Sequence, residues 1–243
     1  MSRRAPLVSQ QIRDLGSLEE PAVLVMRKAP KGIWSRRGRL GILPASFNPP
    51  TKAHAALVRE AKKELDLDEI LVLLDIQAMD KKLVGAKFED RLTMLKKAFQ
   101  RDPKISIGLS SHGLFVQKLK PLRALYPASV TFTFIVGFDT ILRVMDKRYY
   151  RNRKGSLDEL FSQSQFLVAN REGMEEQALG LFLRWRENRG YMDRVSFFTL
   201  PKKFSSLSSS LVREKIAEGE AVDGSVPAPV LRFIKKHGLY RSR

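Results

Sequence analysis

The 243-residue sequence contains no cysteine and only three histidines. The first absence excludes a disulfide scaffold, a thiolate nucleophile and a cysteine-ligated zinc or iron–sulfur centre. The second excludes a histidine-rich metal site. No stretch approaches the roughly 18 apolar residues of a membrane span, and the opening segment lacks the apolar core of about 7–15 residues that marks a secretory signal. Acids are also scarce: 26 Asp and Glu face 44 Lys and Arg, a formal net charge of +18. These balances point to a cytoplasmic protein with polyanionic partners. Most of the excess reads as solubility plus non-specific attraction to nucleic acid or anionic surfaces through a basic surface, because one nucleotide site needs only a handful of cations. What is present in ordinary amount is apolar residues, 43% of the chain, enough to build a large core.

Residues 1–39 hold nine Lys and Arg against three acids. Residues 1–38 read as a basic N-terminal extension, partly disordered or supplying an edge strand near 22–26. From residue 40 the pattern is regular. Strand-length apolar runs fall at 40–45, 69–74, 105–109, 130–136, 165–169 and 195–200. Helical periodicity falls at 52–65, 88–99, 114–120, 140–145, 175–187, 209–218 and 228–237. Pro121 is expected to stop or kink the third of these helices. Residues 147–156 (KRYYRNRKGS) read as a mobile basic loop. Runs such as Ile70-Leu-Val-Leu-Leu74 are apolar on both faces, as parallel strands covered on both sides must be. Alternation of β and α predicts an α/β fold: a Rossmann-like, doubly wound parallel sheet with helices on both faces and a C-terminal helical segment. In such sheets ligands sit beyond the carboxyl ends of the strands.

The familiar phosphate loops, G-x-x-x-x-G-K-[ST] and G-x-G-x-x-G, are missing. The first regular strand instead runs into Pro44-Ala-Ser-Phe-Asn-Pro-Pro-Thr-Lys-Ala-His54. Thr51 is placed to cap the following helix, and His54 lies about one turn on, so both can face one ligand. Helix N-terminal amides there form an anion site. A hydroxyl and an imidazole aimed at an anion suit phosphate chemistry; a capped helix with an incidental His fits the same spacing. Ser208-Ser-Ser-Leu-Val-Arg213 offers hydroxyls, helix N-terminal amides and, one turn in, a guanidinium fork suited to a polyphosphate. A Ser-rich cap with a surface Arg is the plainer alternative. Asp139, just past a strand, can take ribose hydroxyls or cap a helix, and Gly137 permits close backbone approach.

Taken together these segments resemble a known family. Ser46-Phe-Asn-Pro-Pro-Thr-Lys-Ala-His54 is similar to the (H/T)xxH signature of the nucleotidyltransferase superfamily, in the SFNPxTxxH form of the nicotinamide/nicotinate mononucleotide adenylyltransferases. Lys81-Lys82 with Arg91-Leu-Thr-Met-Leu95 resembles the family's basic loop and R-x-x-M-L helix. Gly137-Phe-Asp139 resembles its G-x-D motif, and Ser208–Arg213 its S-S-T-x-x-R motif. Val226-Pro227, Val230–Ile234 and Gly238-Leu-Tyr240 resemble its closing helix. The resemblance spans about 39–241 and implies a nucleotidyltransferase domain over 39–243.

The resemblance implies adenylyl transfer from ATP to a pyridine mononucleotide, giving NAD or deamido-NAD and pyrophosphate. His54, Thr51 and Arg213 would be the catalytic residues. Ser46, Phe47, Gly137, Asp139, Ser209 and Ser210 would bind ATP. Lys82, Tyr149, Tyr150 and Arg171 would serve the mononucleotide. Mg²⁺ would be carried mainly on the ATP phosphates, with no protein residue assigned as its ligand. A homo-oligomer is compatible with the sequence. The chain departs from the family at Pro44 and Ala45, where glycines are usual, at Ala53, and in having neither of its two Trp where the family stacks the pyridine ring. Two other functions stay open: a related transferase with another phosphorylated acceptor, such as phosphopantetheine, and a catalytically weak relative that binds RNA or another polyanion.

Overall fold

The computed structural model describes residues 4–33, 37–76, 85–170 and 174–241. The described strands are β1 (Val23–Arg27), β2 (Gly38–Ala45), β3 (Glu69–Asp75), β4 (Ile105–Ser110), β5 (Val130–Gly137), β6 (Ser164–Asn170) and β7 (Val195–Thr199). They form one sheet in the order β1-β4-β3-β2-β5-β6-β7, parallel except for β1, which runs antiparallel to β4 at the edge. Helix α1 (Arg4–Gly16) precedes the sheet; no sequence expectation covered it. The remaining helices are α2 (Lys52–Glu64), α3 (Phe88–Ala98), α4 (Phe115–Leu125), α5 (Phe138–Val144), α6 (Arg153–Gln163), α7 (Met174–Arg184), α8 (Ser209–Ala217) and α9 (Ala228–His237).

The doubly apolar strands explain the layering. In β3, Leu71 and Leu73 enter one core with Phe115, Leu119 and Leu122 of α4, while Ile70, Val72 and Leu74 enter the other with α2 and α3. This is the period-two alternation of a strand with no solvent face. Each such side chain contributes about 1.5–3 kcal/mol by leaving water. A third, smaller core joins α8 and α9 to Ala53, Ala86 and Met94.

Two expectations need correcting. Helix α4 runs through Pro121 to Leu125. Pro121 removes one backbone bond, but Leu122 lies beyond it on the same buried face as Phe115 and Leu119, and burial of that face outweighs the loss. Residues 147–156 are not wholly loop: Lys147–Tyr149 is a 3-10 turn and α6 begins at Arg153. There Asn152 caps the helix by accepting from the Gly155 N–H at 3.0 Å, and Leu157, Leu160 and Phe161 bury one face. The basic composition hid that face.

Candidate active site

β2 stays paired with β3 to Ala45↔Leu74, but with β5 only to Ile42↔Phe134. The two strands therefore part at their carboxyl ends, where the chain order reverses and ligands bind in such sheets. A pocket of about 170 Å³ opens there, lined among others by Pro44, His54, Gly137, Asp139, Arg143 and Glu175. Pro44 thus sits where β2 has already left β5, so its missing N–H breaks no rung of that ladder.

The loop after β2 is tightly determined. Phe47 is fully buried, has φ 44°, and lays its ring 4.9 Å from that of His54. A non-glycine residue in this left-handed region is strained, and such strain persists where surrounding packing holds it. Thr51 then caps α2 with the reciprocal arrangement of a capping box. Its hydroxyl accepts from the His54 N–H at 3.4 Å, and its own N–H donates to His54 Nδ1 at 3.0 Å. The Thr51 hydroxyl also lies 2.8 Å from Nδ1. A backbone N–H can only donate, so Nδ1 is an acceptor and the neutral ring carries its proton on Nε2. The cap therefore orients the imidazole and fixes its tautomer at once.

The other anion-binding motif docks on the same loop. Ser208 caps α8 by accepting from the Leu211 N–H at 3.1 Å. The Ser209 hydroxyl donates to the Pro49 carbonyl at 2.8 Å, and Arg213 donates to the Asn48 carbonyl at 2.8 Å and to the Ser210 hydroxyl at 3.2 Å. Two of the five guanidinium N–H groups are used in these contacts. Gly137 is the N-cap of α5, and Asp139 in its first turn lines the pocket beside His54. A carboxylate is favourably placed in a first helical turn.

Ser46, half-buried, opens the loop. Tyr149 and Tyr150 are not among the residues lining the pocket. Tyr150 packs on the core and donates its hydroxyl to the Val144 carbonyl at 2.5 Å, and burial pushes that hydroxyl up to about 12. Tyr149 lies under the Arg148 guanidinium, 6.0 Å from the ring centre. Lys82 and Arg171 lie outside the described residues.

Two residues near the site had no assigned role. Asn48 is buried, and its Oδ1 accepts from the Tyr240 hydroxyl at 2.8 Å and from the Ala86 N–H at 3.3 Å. Tyr240 reaches it because Gly238 ends α9 with φ 59° and turns the chain back. Arg91 on α3 is buried with Nε and Nη1 unpartnered, its guanidinium 5.1 Å from the Phe88 ring centre, and burial lowers its pKa. Both Asn48 and Arg91 stand inside motifs the sequence displays, but spacing alone does not tell which motif residues turn inward.

A family profile described as cytidylyltransferase-like matches residues 42–215. A putative nicotinamide mononucleotide adenylyltransferase of Schizosaccharomyces pombe is 33% identical over 83% of this chain and 86% of its own. The chain belongs to the nicotinamide/nicotinate mononucleotide adenylyltransferase family. A second member of this family, a probable nicotinate-nucleotide adenylyltransferase of Dehalococcoides mccartyi, is 30% identical over 83% of this chain and 97% of its own. The nicotinic acid mononucleotide adenylyltransferase of Plasmodium falciparum, solved with NaAD, shares the fold with a TM-score of 0.63. It is 21% identical and covers 84% of this chain and 98% of its own. The fold class expected from the sequence is thus the family's fold. No helix among the described residues is long and apolar enough to cross a membrane.

Proposed function

We propose that this chain transfers the adenylyl group of ATP to nicotinamide or nicotinate mononucleotide, releasing pyrophosphate. One observation carries the reading: His54, fixed in one tautomer by the α2 cap, lines the same pocket as Asp139 at the strand switch, on a loop that also holds Arg213. An oxygen of the mononucleotide 5′-phosphate attacks the α-phosphorus. The bond from that phosphorus to the bridging oxygen breaks, and pyrophosphate leaves with the electron pair. The nucleophile arrives anionic, so no general base is needed, and catalysis is positioning plus charge stabilisation.

His54 acts through Nε2–H, donating to an α-phosphoryl oxygen as charge builds. Thr51 holds the ring. Arg213, Ser209 and Ser210 take the β- and γ-phosphates, with Ser46 and Phe47 setting the backbone around them. Gly137 and Asp139 receive the adenosine side. Lys82, Tyr149 and Arg171 serve the mononucleotide, and Tyr150 acts by supporting that segment. Mg²⁺ carried on the ATP phosphates would neutralise charge on the leaving pyrophosphate.

The test is pyrophosphate release from ATP and Mg²⁺ with nicotinamide mononucleotide, nicotinate mononucleotide or phosphopantetheine supplied separately. Turnover with a pyridine mononucleotide is expected; turnover with phosphopantetheine alone would overturn the reading. His54→Ala should lower kcat by about 10²–10³-fold, the effect of losing one transition-state donor, with the Kd for ATP within about threefold of the parent. Near-normal turnover in that variant would remove the role assigned to His54.

A further inference from the structure

A groove of about 730 Å³ lies at the opposite end of the sheet, between the C-terminal half of α2 and the connection from α3 to β4. Its cations are Lys31, Arg59, Lys62, Lys63, Arg101 and Lys104, and its floor is apolar, with Ala55, Val58 and Ile105. A second groove of about 360 Å³ adjoins it through the shared Ala98 and Arg101, and adds Lys97 and Arg232. Neither groove shares a residue with the pocket that holds His54.

The charge is more than local ion pairing absorbs. Asp102 pairs with Lys62 at 2.7 Å, and Glu60 pairs with Arg59 at 2.7 Å and Lys63 at 3.5 Å. Eight cations less these two acids leave a net six along the joined grooves. A nucleoside triphosphate brings at most about four negative charges, so one nucleotide does not match this site. A chain of phosphates does. The concave shape admits a flexible single strand whose backbone follows the basic rim, as positively charged grooves track single strands. We propose that the two joined grooves form a binding track for single-stranded nucleic acid, separate from the site of adenylyl transfer.

Fluorescence anisotropy with a labelled polyuridylate of about 20 nucleotides, titrated across a series of KCl concentrations, tests this. Contact with about five phosphates predicts a slope of log K against log salt near −3.5. Lys31, Arg101 and Arg232 are exposed, so the triple variant K31E/R101E/R232E should fold. It should bind at least tenfold more weakly with a flatter slope, while pyrophosphate release keeps the parent rate. The triple variant R184E/R186E/R189E, also at exposed positions but away from the grooves, lowers the net charge by the same amount. It should bind like the parent. Equal weakening by both variants would mean that binding is diffuse, and no weakening by the first would mean that the grooves are not the site. Either result overturns the proposal, as would equal affinity for a blunt duplex of the same length.

Discussion

Asp75 ends β3 at the pocket end of the sheet, with the fully buried Lys118 ammonium 3.1 Å from its Oδ1. Lys118 donates to the His112 and Gly113 carbonyls at 2.6 and 3.0 Å, and Asp75 Oδ1 has no hydrogen-bond partner. The contact is therefore an ion pair out of line for a hydrogen bond. Burial wins over it and raises Asp75 to about 6 from 3.8. A raised carboxyl pKa means that the folded state binds the proton more tightly than the unfolded chain. The stabilising contribution is full below about pH 3.8 and is lost as pH rises through about 6. Asp75→Asn mimics the protonated form. Its stability relative to the parent should be about 2 kcal/mol higher at pH 7.5 than at pH 4.5, measured by urea denaturation at the two values. A pH-independent difference would contradict this account. Nothing in the sequence links Asp75 to Lys118, because no local spacing rule joins a strand end to a helix of a later crossover. Thr51 and His54 were legible for the opposite reason: their interaction spans three residues and one helical turn, which periodicity encodes directly.

At the scale of elements, the site is assembled by docking α8 and the tail of α9 onto the loop between β2 and α2. Tyr240 supplies the tail's contact by donating to the buried Asn48 Oδ1. Tyr240→Phe removes that donor and keeps the Ala86 N–H, 3.3 Å from the same oxygen. The expected cost is about 1 kcal/mol of stability, read as a lower urea midpoint. The KM for ATP should rise more than kcat falls, because the Asn48 carbonyl also seats Arg213. Asn48→Ala should do both more strongly. The strands of the parallel sheet were legible because their two-sided apolar character has no other use. α6 was obscured by its basic flank, and α4 by a proline whose cost is local while its helix's burial is not. The contacts of Ser209 with Pro49 and of Tyr240 with Asn48 close across 160 and 192 residues, so only the folded chain reveals them.

At the scale of the whole molecule, the N-terminal segment is part of the sheet rather than an appendage to it. Ile12 and Leu15 of α1 lie in the same core as β3 and β4. The Ile33 N–H donates at 2.8 Å to the buried Glu69, which also accepts from Ser106 at 2.6 Å and Tyr126 at 2.7 Å. Ala29 donates to Ser106 at 2.9 Å, so the chain before β2 is pinned to a satisfied polar cluster. Deleting residues 1–37 should therefore lower Tm well beyond the effect of trimming a free tail. Size-exclusion chromatography with light scattering should show the fragment associating as concentration rises; a monodisperse, equally stable fragment would contradict this. The reason lies in how β1 finishes the sheet. Its register against β4 shifts between Val25 and Arg27, and the Arg27 guanidinium turns to the Phe99 and Ile105 carbonyls at 3.0 and 3.1 Å. An irregular, short, arginine-bearing margin makes a poor template for a further strand. The fully buried strand behind it, β4, with its row of backbone donors and acceptors, would make a better one. Removing β1 would leave the β4 backbone groups that now pair with it open to another strand, which is why the shortened fragment is expected to associate.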